Sequence, residues 1–335
     1  YSSVNGQPMH GNRALITGVL KGELGFSGFV VTDWQAIDKL PGDYTHDVET
    51  AINAGIDMVM VPMQFREFIR ILKMLVTSGR VPLARIDDAV RRILRQKARF
   101  RLWERPFCDR ALTPQIGSAA HRAVARQAVR QSLVVLKNDA GTLPLRKDAR
   151  LLVVGPRADD IGAQCGGWTV SWQGRRGAIT DGTTIRQGIV DLVGKAHVEF
   201  SDDAANIDIG RSDAVIVVVG EDPYAEGHGD RGHPILAESE QALVAAAKRG
   251  GKPVIVVLLA GRPLILGTAI EDATAFVCAW LPGTEGAGVA DVLFGVIPAT
   301  GTLSCSWARN ESDIPLNAGD PRYAPLFPYG FGLKT

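Results

Sequence analysis

The 335 residues carry 37 basic and 36 acidic side chains, a formal net charge of +1, with 46% hydrophobic and 22% charged residues. This ordinary balance excludes a disordered chain, a collagen-like repeat and a polybasic nucleic-acid binder, and at roughly 100–200 residues per domain the length implies two domains. The longest apolar runs, 215–219 and 254–260, fall far short of the roughly 20 residues that a bilayer-crossing helix requires, so no membrane span is expected.

The chain opens on Tyr-Ser-Ser-Val-Asn-Gly, with no basic stretch, no apolar run and no initiator methionine, and is expected to begin within a longer protein. An amphipathic pattern predicts a helix over 11–24. The run Gly28-Phe-Val-Val-Thr-Asp-Trp34 then reads as a strand, a helix-like stretch covers 47–54, and Gly55-Ile-Asp-Met-Val-Met-Val-Pro62 repeats the strand pattern. Both runs read as buried parallel strands. Helices follow at 65–78 and 83–99, the latter with Ile86, Val90, Ile93 and Leu94 on one stripe. Strand alternating with helix indicates the α/β class.

The pattern lapses around Pro106, which places a domain boundary near 105–115. An Arg/Ala-rich helix at 118–132 leads into the apolar run 133–136. A second α/β series has strands at 150–155, 214–220, 253–259 and 275–280 and helices at 184–192, 238–249 and 285–293, the pattern of a mainly parallel sheet covered by helices. The tail 311–335, with Pro315, Pro321, Pro325 and Pro328 among aromatics, reads as a packed extended strap. The expected organisation is 1–105 for a first domain, 106–125 for a linker, 126–310 for a second domain and 311–335 for the strap. Four scattered cysteines, Cys108, Cys165, Cys278 and Cys305, indicate neither a zinc knuckle nor a disulfide scaffold.

Strand carboxyl ends are where α/β proteins place functional groups, and Asp33 stands at one, directly before Trp34. A helix-capping aspartate is the alternative. Asp57, inside an apolar run, reads as a satisfied structural group. The segment 217–230 runs from a strand into a loop loaded with Glu221, Asp222, Glu226 and Asp230, any of which could supply a general acid. His228 and His233 invite a metal reading, but their spacing fits no named site. In Gly166-Gly-Trp168-Thr-Val-Ser-Trp172-Gln-Gly174 the glycines argue against a helix, and two indoles on a loop suit stacking on sugar or aromatic rings. Gly283-Thr-Glu-Gly-Ala-Gly288 has the wrong spacing for a dinucleotide fingerprint, and the chain has no phosphate loop and no Gly-x-Ser-x-Gly elbow. Two carboxylates from two domains together with tryptophans suit glycoside cleavage through an oxocarbenium-like transition state.

Five stretches taken together carry a family resemblance: Gly25-Phe-Ser-Gly-Phe-Val-Val-Thr-Asp33-Trp34, Trp168-Thr-Val-Ser-Trp172-Gln-Gly174, Val219-Gly-Glu-Asp-Pro-Tyr-Ala-Glu226, Pro282-Gly-Thr-Glu-Gly-Ala-Gly-Val-Ala-Asp-Val-Leu-Phe-Gly295 and Leu326-Phe-Pro-Tyr-Gly-Phe-Gly-Leu333. The chain resembles glycoside hydrolase family 3, in its branch of β-glucosidases and exo-acting β-glucan glucohydrolases. The resemblance implies the C-terminal part of a (β/α)₈ TIM-type barrel in 1–105, followed by an α/β sandwich domain in 126–310, with a retaining double displacement at their interface. It puts the nucleophile on Asp33 and the acid/base on Glu226, with Trp34 and Trp172 gripping the sugar beyond the cleaved bond. Trp168 lies on the same binding loop, and Tyr1 falls where the family has an active-site tyrosine.

Retention requires the two carboxyls within about 5–5.5 Å of each other, and Glu226 must hold its proton, with Glu221, Asp222 and Asp230 as possible sources of repulsion. The resemblance implies β-glucan, cello-oligosaccharide or β-glucoside substrates, no metal or organic cofactor, and a periplasmic or secreted setting. Thr32 stands where serine is commoner and Lys39 where an arginine is expected, and the residues that hold the nonreducing sugar would precede Tyr1. The competing readings are a β-xylosidase of the same family and a non-catalytic carbohydrate-binding remnant.

Overall fold

The computed structural model describes residues 1–203 and 209–335. The chain divides into two compact units, Tyr1–Thr113 and Pro114–Thr335. In the first, β1 (Ser3–Val4) pairs antiparallel with β2 (Gln7–Pro8) around Asn5-Gly6, both with positive φ, a turn that only such a dipeptide makes at low cost. The helix expected over 11–24 is a π-helix, Ala14–Glu23, in which the Leu24 N–H reaches back to the Val19 carbonyl. Gly18 and Gly22 lower the cost of leaving α geometry.

Next come β3 (Val31–Trp34), α1 (Tyr44–Ala54), β4 (Met58–Met60), α2 (Phe65–Thr77) and α3 (Leu83–Arg99). The Asp43 carboxylate caps α1 by accepting from the His46 N–H, and Gly55 ends it at φ 115°. The core of this unit gathers Ile16, Ile37, Val48, Ile52, Ile56, Ile71, Leu75 and Val81. β3 and β4 are parallel, as expected, but they are not buried: Val31, Met58 and Met60 are 41–43% exposed. Among the described residues this sheet has two strands, so its outer edges and one face lack cover. Val90 and Leu94 of the α3 stripe are likewise exposed, and Ala89 is the buried residue of that helix. Asp57 is the satisfied structural group its apolar setting implies. Lys21 Nζ donates to both of its oxygens at 2.8 Å, the Val30 N–H donates at 2.8 Å, and Arg85 completes the set.

The second unit contains α4 (Ala119–Ser132), β5 (Val134–Asn138), β6 (Leu151–Val154), α5 (Ile161–Cys165), α6 (Ile185–Val193), β7 (Val198–Ser201), β8 (Ala214–Gly220), α7 (Glu238–Arg249), β9 (Val254–Leu259), α8 (Ala269–Asp272), β10 (Ala275–Trp280) and α9 (Gly286–Leu293). Among the described residues they form a six-stranded sheet in the order β7-β6-β8-β9-β10-β5, parallel except for β5, which runs antiparallel to β10. The expected α/β class and mainly parallel sheet hold. In β8 and β9 alternate residues serve two cores. Ala214, Ile216, Val218, Ile255 and Val257 face α4, α6 and α9, whereas Val215, Val217, Val219, Val254 and Val256 face α7, α8 and the tail. With both faces covered, the strands read as unbroken apolar runs.

Two further features fix this unit. Gly286 and Gly288 let α9 pack closely: a Cβ at Gly288 would lie 2.8 Å from Val129 of α4, and one at Gly286 would lie 2.5 Å from the Ile185 nitrogen of α6. Of the glycines that superficially mimic a dinucleotide fingerprint, Gly286 and Gly288 are therefore helix-packing spacers, while Gly283 takes left-handed backbone at φ 59° before the helix. The tail is extended, as its prolines dictate. The buried Trp307 indole donates to the Leu264 carbonyl at 2.7 Å, Phe327 stacks on Phe331 with ring centroids 4.9 Å apart, and the Leu333 N–H closes onto the Val135 carbonyl at 2.9 Å.

Candidate active site

In the first unit the candidate group is Asp33, exposed at the carboxyl end of β3. Thr32, the buried residue before it, stitches the strand end in place: its hydroxyl donates to the Asp33 carbonyl at 2.9 Å and accepts from the Met60 N–H at 2.9 Å. Among the described residues the Asp33 carboxylate accepts from the adjacent Trp34 N–H, at 2.6 Å. It does not cap the turn that follows. That turn, Ala36–Lys39, begins after Gln35, whose φ of 51° breaks the strand, and no side chain caps it. Left-handed backbone at a non-glycine residue costs of order 1 kcal/mol and persists where surrounding structure imposes it. Trp34 is exposed, and the Tyr1 hydroxyl donates to its carbonyl, so Tyr1, Asp33 and Trp34 lie together.

In the second unit two loops meet over the carboxyl ends of β8, β9 and β10. Residues 166–174 form a tight, twisted loop in which Gly166, Trp168, Val170 and Gly174 all have φ between 60 and 71°. The Trp168 N–H donates to the Trp172 carbonyl at 2.8 Å, which closes the loop and leaves both indoles exposed, their centroids 6.5 Å apart. The loop 221–230 carries the other candidates. Gly167 permits the contact between the two, since a Cβ there would sit 2.1 Å from the Tyr224 carbonyl oxygen. Gln173 bridges them through the backbone of Ala225, and Trp172 meets the His228 ring edge-on at 5.3 Å.

The four carboxylates of this loop have different environments. The Glu221 side chain is buried and taken: Arg262 donates to both of its oxygens at 2.7–3.2 Å, and the Tyr224 hydroxyl donates at 3.2 Å. Arg262 also lies 4.6 Å over the Tyr224 ring and donates to the Gly229 carbonyl, so it grips both ends of the loop. Burial, reinforced by the Glu221 charge, pushes the Tyr224 hydroxyl above its ordinary value and keeps it a donor. Asp222 accepts from Arg157 at 2.8 Å. Glu221 and Asp222 are thus each paired with an arginine. Glu226 itself is exposed, at φ 51°, on a short 3₁₀ turn. His228 is engaged with Trp172 and His233 with Glu311, so the two histidines do not converge as a metal pair would.

Sequence reasoning passed over Arg262 and gave Gln173 no role. The one available signal for Arg262 was its place in Gly261-Arg262-Pro263, just beyond the apolar run of β9. A small cleft of about 90 Å³ opens beneath the two loops, lined by Gly166, Gly167, Glu221, Tyr224, Gly261 and Leu281. Asp33, Trp34 and Tyr1 belong to the first unit and Trp168, Trp172 and Glu226 to the second.

Both units have counterparts among known proteins. Residues 1–96 match the glycosyl hydrolase family 3 N terminal domain and residues 133–335 its C-terminal domain. The chain is 34% identical to a lysosomal beta glucosidase of Dictyostelium discoideum, over 99% of this chain and 44% of that protein. It is 32% identical to a periplasmic beta-glucosidase of Salmonella typhimurium, over 99% of this chain and 51% of the relative. Among solved structures, an exo-1,3/1,4-beta-glucanase from a Pseudoalteromonas species superposes with a TM-score of 0.92 at 40% identity, covering 99% of this chain and 56% of that one. The chain spans about half the length of the relatives it matches. The chain belongs to glycosyl hydrolase family 3.

Proposed function

We propose that this chain carries the two catalytic carboxylates of a retaining β-glucosidase that releases glucose from the nonreducing end of β-glucans or β-glucosides. Asp33 attacks the anomeric carbon and forms a glycosyl ester, while Glu226 gives its proton to the departing oxygen. Glu226 then takes a proton from water as that water releases the sugar. Trp34 and Trp172 hold the sugar beyond the cleaved bond, Trp168 lies on the same loop as Trp172, and Tyr1 orients the Asp33 segment through the Trp34 carbonyl. The observation that carries this reading is the state of Glu226: of the loop carboxylates it is the one on left-handed backbone, exposed and two residues before His228, whose ring meets Trp172, while Glu221 and Asp222 are bound to arginines.

The same reading makes 1–105 the C-terminal portion of a (β/α)₈ barrel carrying the nucleophile, 106–125 a linker, 126–310 the sandwich domain carrying the acid/base and 311–335 a strap. The exposed Val31, Met58 and Met60 support it, because strands of a barrel need neighbours on both edges. Relatives named as periplasmic and lysosomal support a setting outside the cytoplasm. No helix among the described residues is long and apolar enough to cross a membrane.

The test is hydrolysis of p-nitrophenyl β-glucoside and β-xyloside by the chain and by its complete reading frame. Glucose release with retained anomeric configuration, abolished by Asp33→Asn, is expected. Faster cleavage of the xyloside would move the substrate assignment. Binding of glucan that Asp33→Asn leaves intact, with no turnover in either form, would identify a carbohydrate-binding remnant instead.

A further inference from the structure

Glu226 sits on backbone that a glutamate does not choose, so something must hold it there. The residue before it, Ala225, is buried, and both of its backbone polar groups are met by one side chain. The Ala225 N–H donates to Gln173 Oε1 at 3.0 Å, and Gln173 Nε2 donates to the Ala225 carbonyl at 3.3 Å. A primary amide, with one acceptor and one donor side by side, is the side chain that can make this bracket. Gln173 directly follows Trp172, whose indole abuts His228, two residues beyond Glu226. The aromatic loop therefore touches the glutamate's segment on both flanks.

We infer that Gln173 is a positioning residue that couples the sugar-stacking loop to the acid/base: a sugar pressing on Trp172 is registered, through the Gln173 bracket, in the placement of Glu226. This rests on the reading of Glu226 as the proton donor. Remove the amide, and the Ala225 groups must find other partners. The turn relaxes from φ 51°, and the carboxyl moves from the line of the departing oxygen. A displacement of about 1 Å costs proton transfer on the order of a hundredfold.

The experiment compares Gln173→Ala, Gln173→Glu and Glu226→Gln in the complete reading frame, on laminaribiose and on 2,4-dinitrophenyl β-glucoside, whose leaving group needs no proton. Gln173→Ala is expected to lower kcat on laminaribiose about a hundredfold and on the dinitrophenyl glucoside less than about fivefold, with KM little changed. Gln173→Glu keeps the acceptor for the Ala225 N–H and should recover part of the loss. Hydrogen exchange in the chain reads the bracket without turnover: the Ala225 amide should exchange at least about tenfold faster in Gln173→Ala, in line with the loss of its acceptor. Unchanged exchange overturns the inference. So does an equal loss on both substrates for Gln173→Ala when Glu226→Gln retains the leaving-group dependence. Equal loss for Glu226→Gln as well overturns the acid/base reading and this inference with it.

Discussion

Asp291 is the buried charge on which the helical face of the second unit depends, and its removal has a magnitude that can be worked out. Its side chain is 1% exposed and accepts from Arg126 Nε and Nη2 at 2.6 Å each and from Arg130 Nε at 2.7 Å, which ties α9 to α4. Burial works to raise the Asp291 carboxyl, but the two guanidiniums overcome it and hold it below its ordinary value. Breaking a buried pair by deleting one partner costs about 3–5 kcal/mol, largely because the other charge is stranded. Here the stranded partners, Arg126 and Arg130, are 38% and 22% exposed and can turn to water, so Asp291→Ala should fall at the lower end, about 3 kcal/mol. At roughly 2–4 °C per kcal/mol for a unit of this size, the melting temperature should drop by about 6–12 °C. Asp291→Asn, which keeps acceptor oxygen but not charge, should lose about half as much.

The sign with pH follows from the depressed carboxyl. Its contribution is present above the ordinary carboxylate range and is lost as the pH falls through the folded value, so wild type and Asp291→Ala should converge in strong acid. Denaturant unfolding followed by the buried Trp307 measures this. A loss under about 1 kcal/mol at neutral pH, or a difference that grows as pH falls, would refute the argument.

Two further predictions follow from the charge pairs. Arg262→Leu strands the buried Glu221 carboxylate and should cost about 3–5 kcal/mol, whereas Arg262→Leu with Glu221→Leu should recover most of it; a double variant no more stable than the single would show that the pair does not anchor the loop. Asp213, through its hydrogen bonds from the Arg150 side chain and backbone, has its carboxyl pushed down to about 2. Its contribution to stability should therefore be present above about pH 4 and fade between about 4 and 2, and a carboxyl resonance titrating near the ordinary value in wild type, unchanged by Arg150→Met, would contradict it.

How far the sequence reveals the fold depends on whether an element is defined locally. β8, β10 and α7 match their expected spans residue for residue, because apolar runs or stripes end on charges or on glycine and arginine: Asp213 and Glu221 bound β8, and Arg249-Gly250 ends α7. β7 has no clear signal in the sequence, for Val198-Glu-Phe-Ser201 is a short edge strand, none of it fully buried, with a charged residue, Glu199, exposed in its middle. The antiparallel direction of β5 has no local signature at all. It enters from a helix like its neighbours, and only its pairing with β10, Asn138 opposite Ala275, sets its sense. Burial of β3 and β4 was overread for the opposite reason, since an apolar run records what a strand is suited to meet, not what lies beside it. At the candidate site the types of residue were legible but their division of labour was not. Nothing local separates Glu221 from Glu226; the separation comes from Arg262, 41 residues on.

The sheet order helps to explain why Glu226 stands out on a loop. With its parallel strands in the order β7-β6-β8-β9-β10, this is a doubly wound sheet whose direction of winding reverses between β6 and β8, the place where such sheets leave a crevice for ligands. Here that crevice is filled. Gly155, just past β6, approaches β8 so closely that a Cβ would lie 2.4 Å from the Val218 carbonyl. The buried Arg157 guanidinium then occupies the space above, held by Glu240 of α7 and by Asp222. Burial raises the Glu240 carboxyl even against that arginine, a sign of how little water reaches the crevice. The open space lies one strand further along, over β8, β9 and β10, under the 166–174 and 221–230 loops. A sugar recognised by Trp172 would therefore meet the loops rather than the strand ends. Under the proposed reading its proton donor is carried outward on a turn, and Gln173 and Arg262 are the side chains that hold the backbone of the loop bearing Glu226.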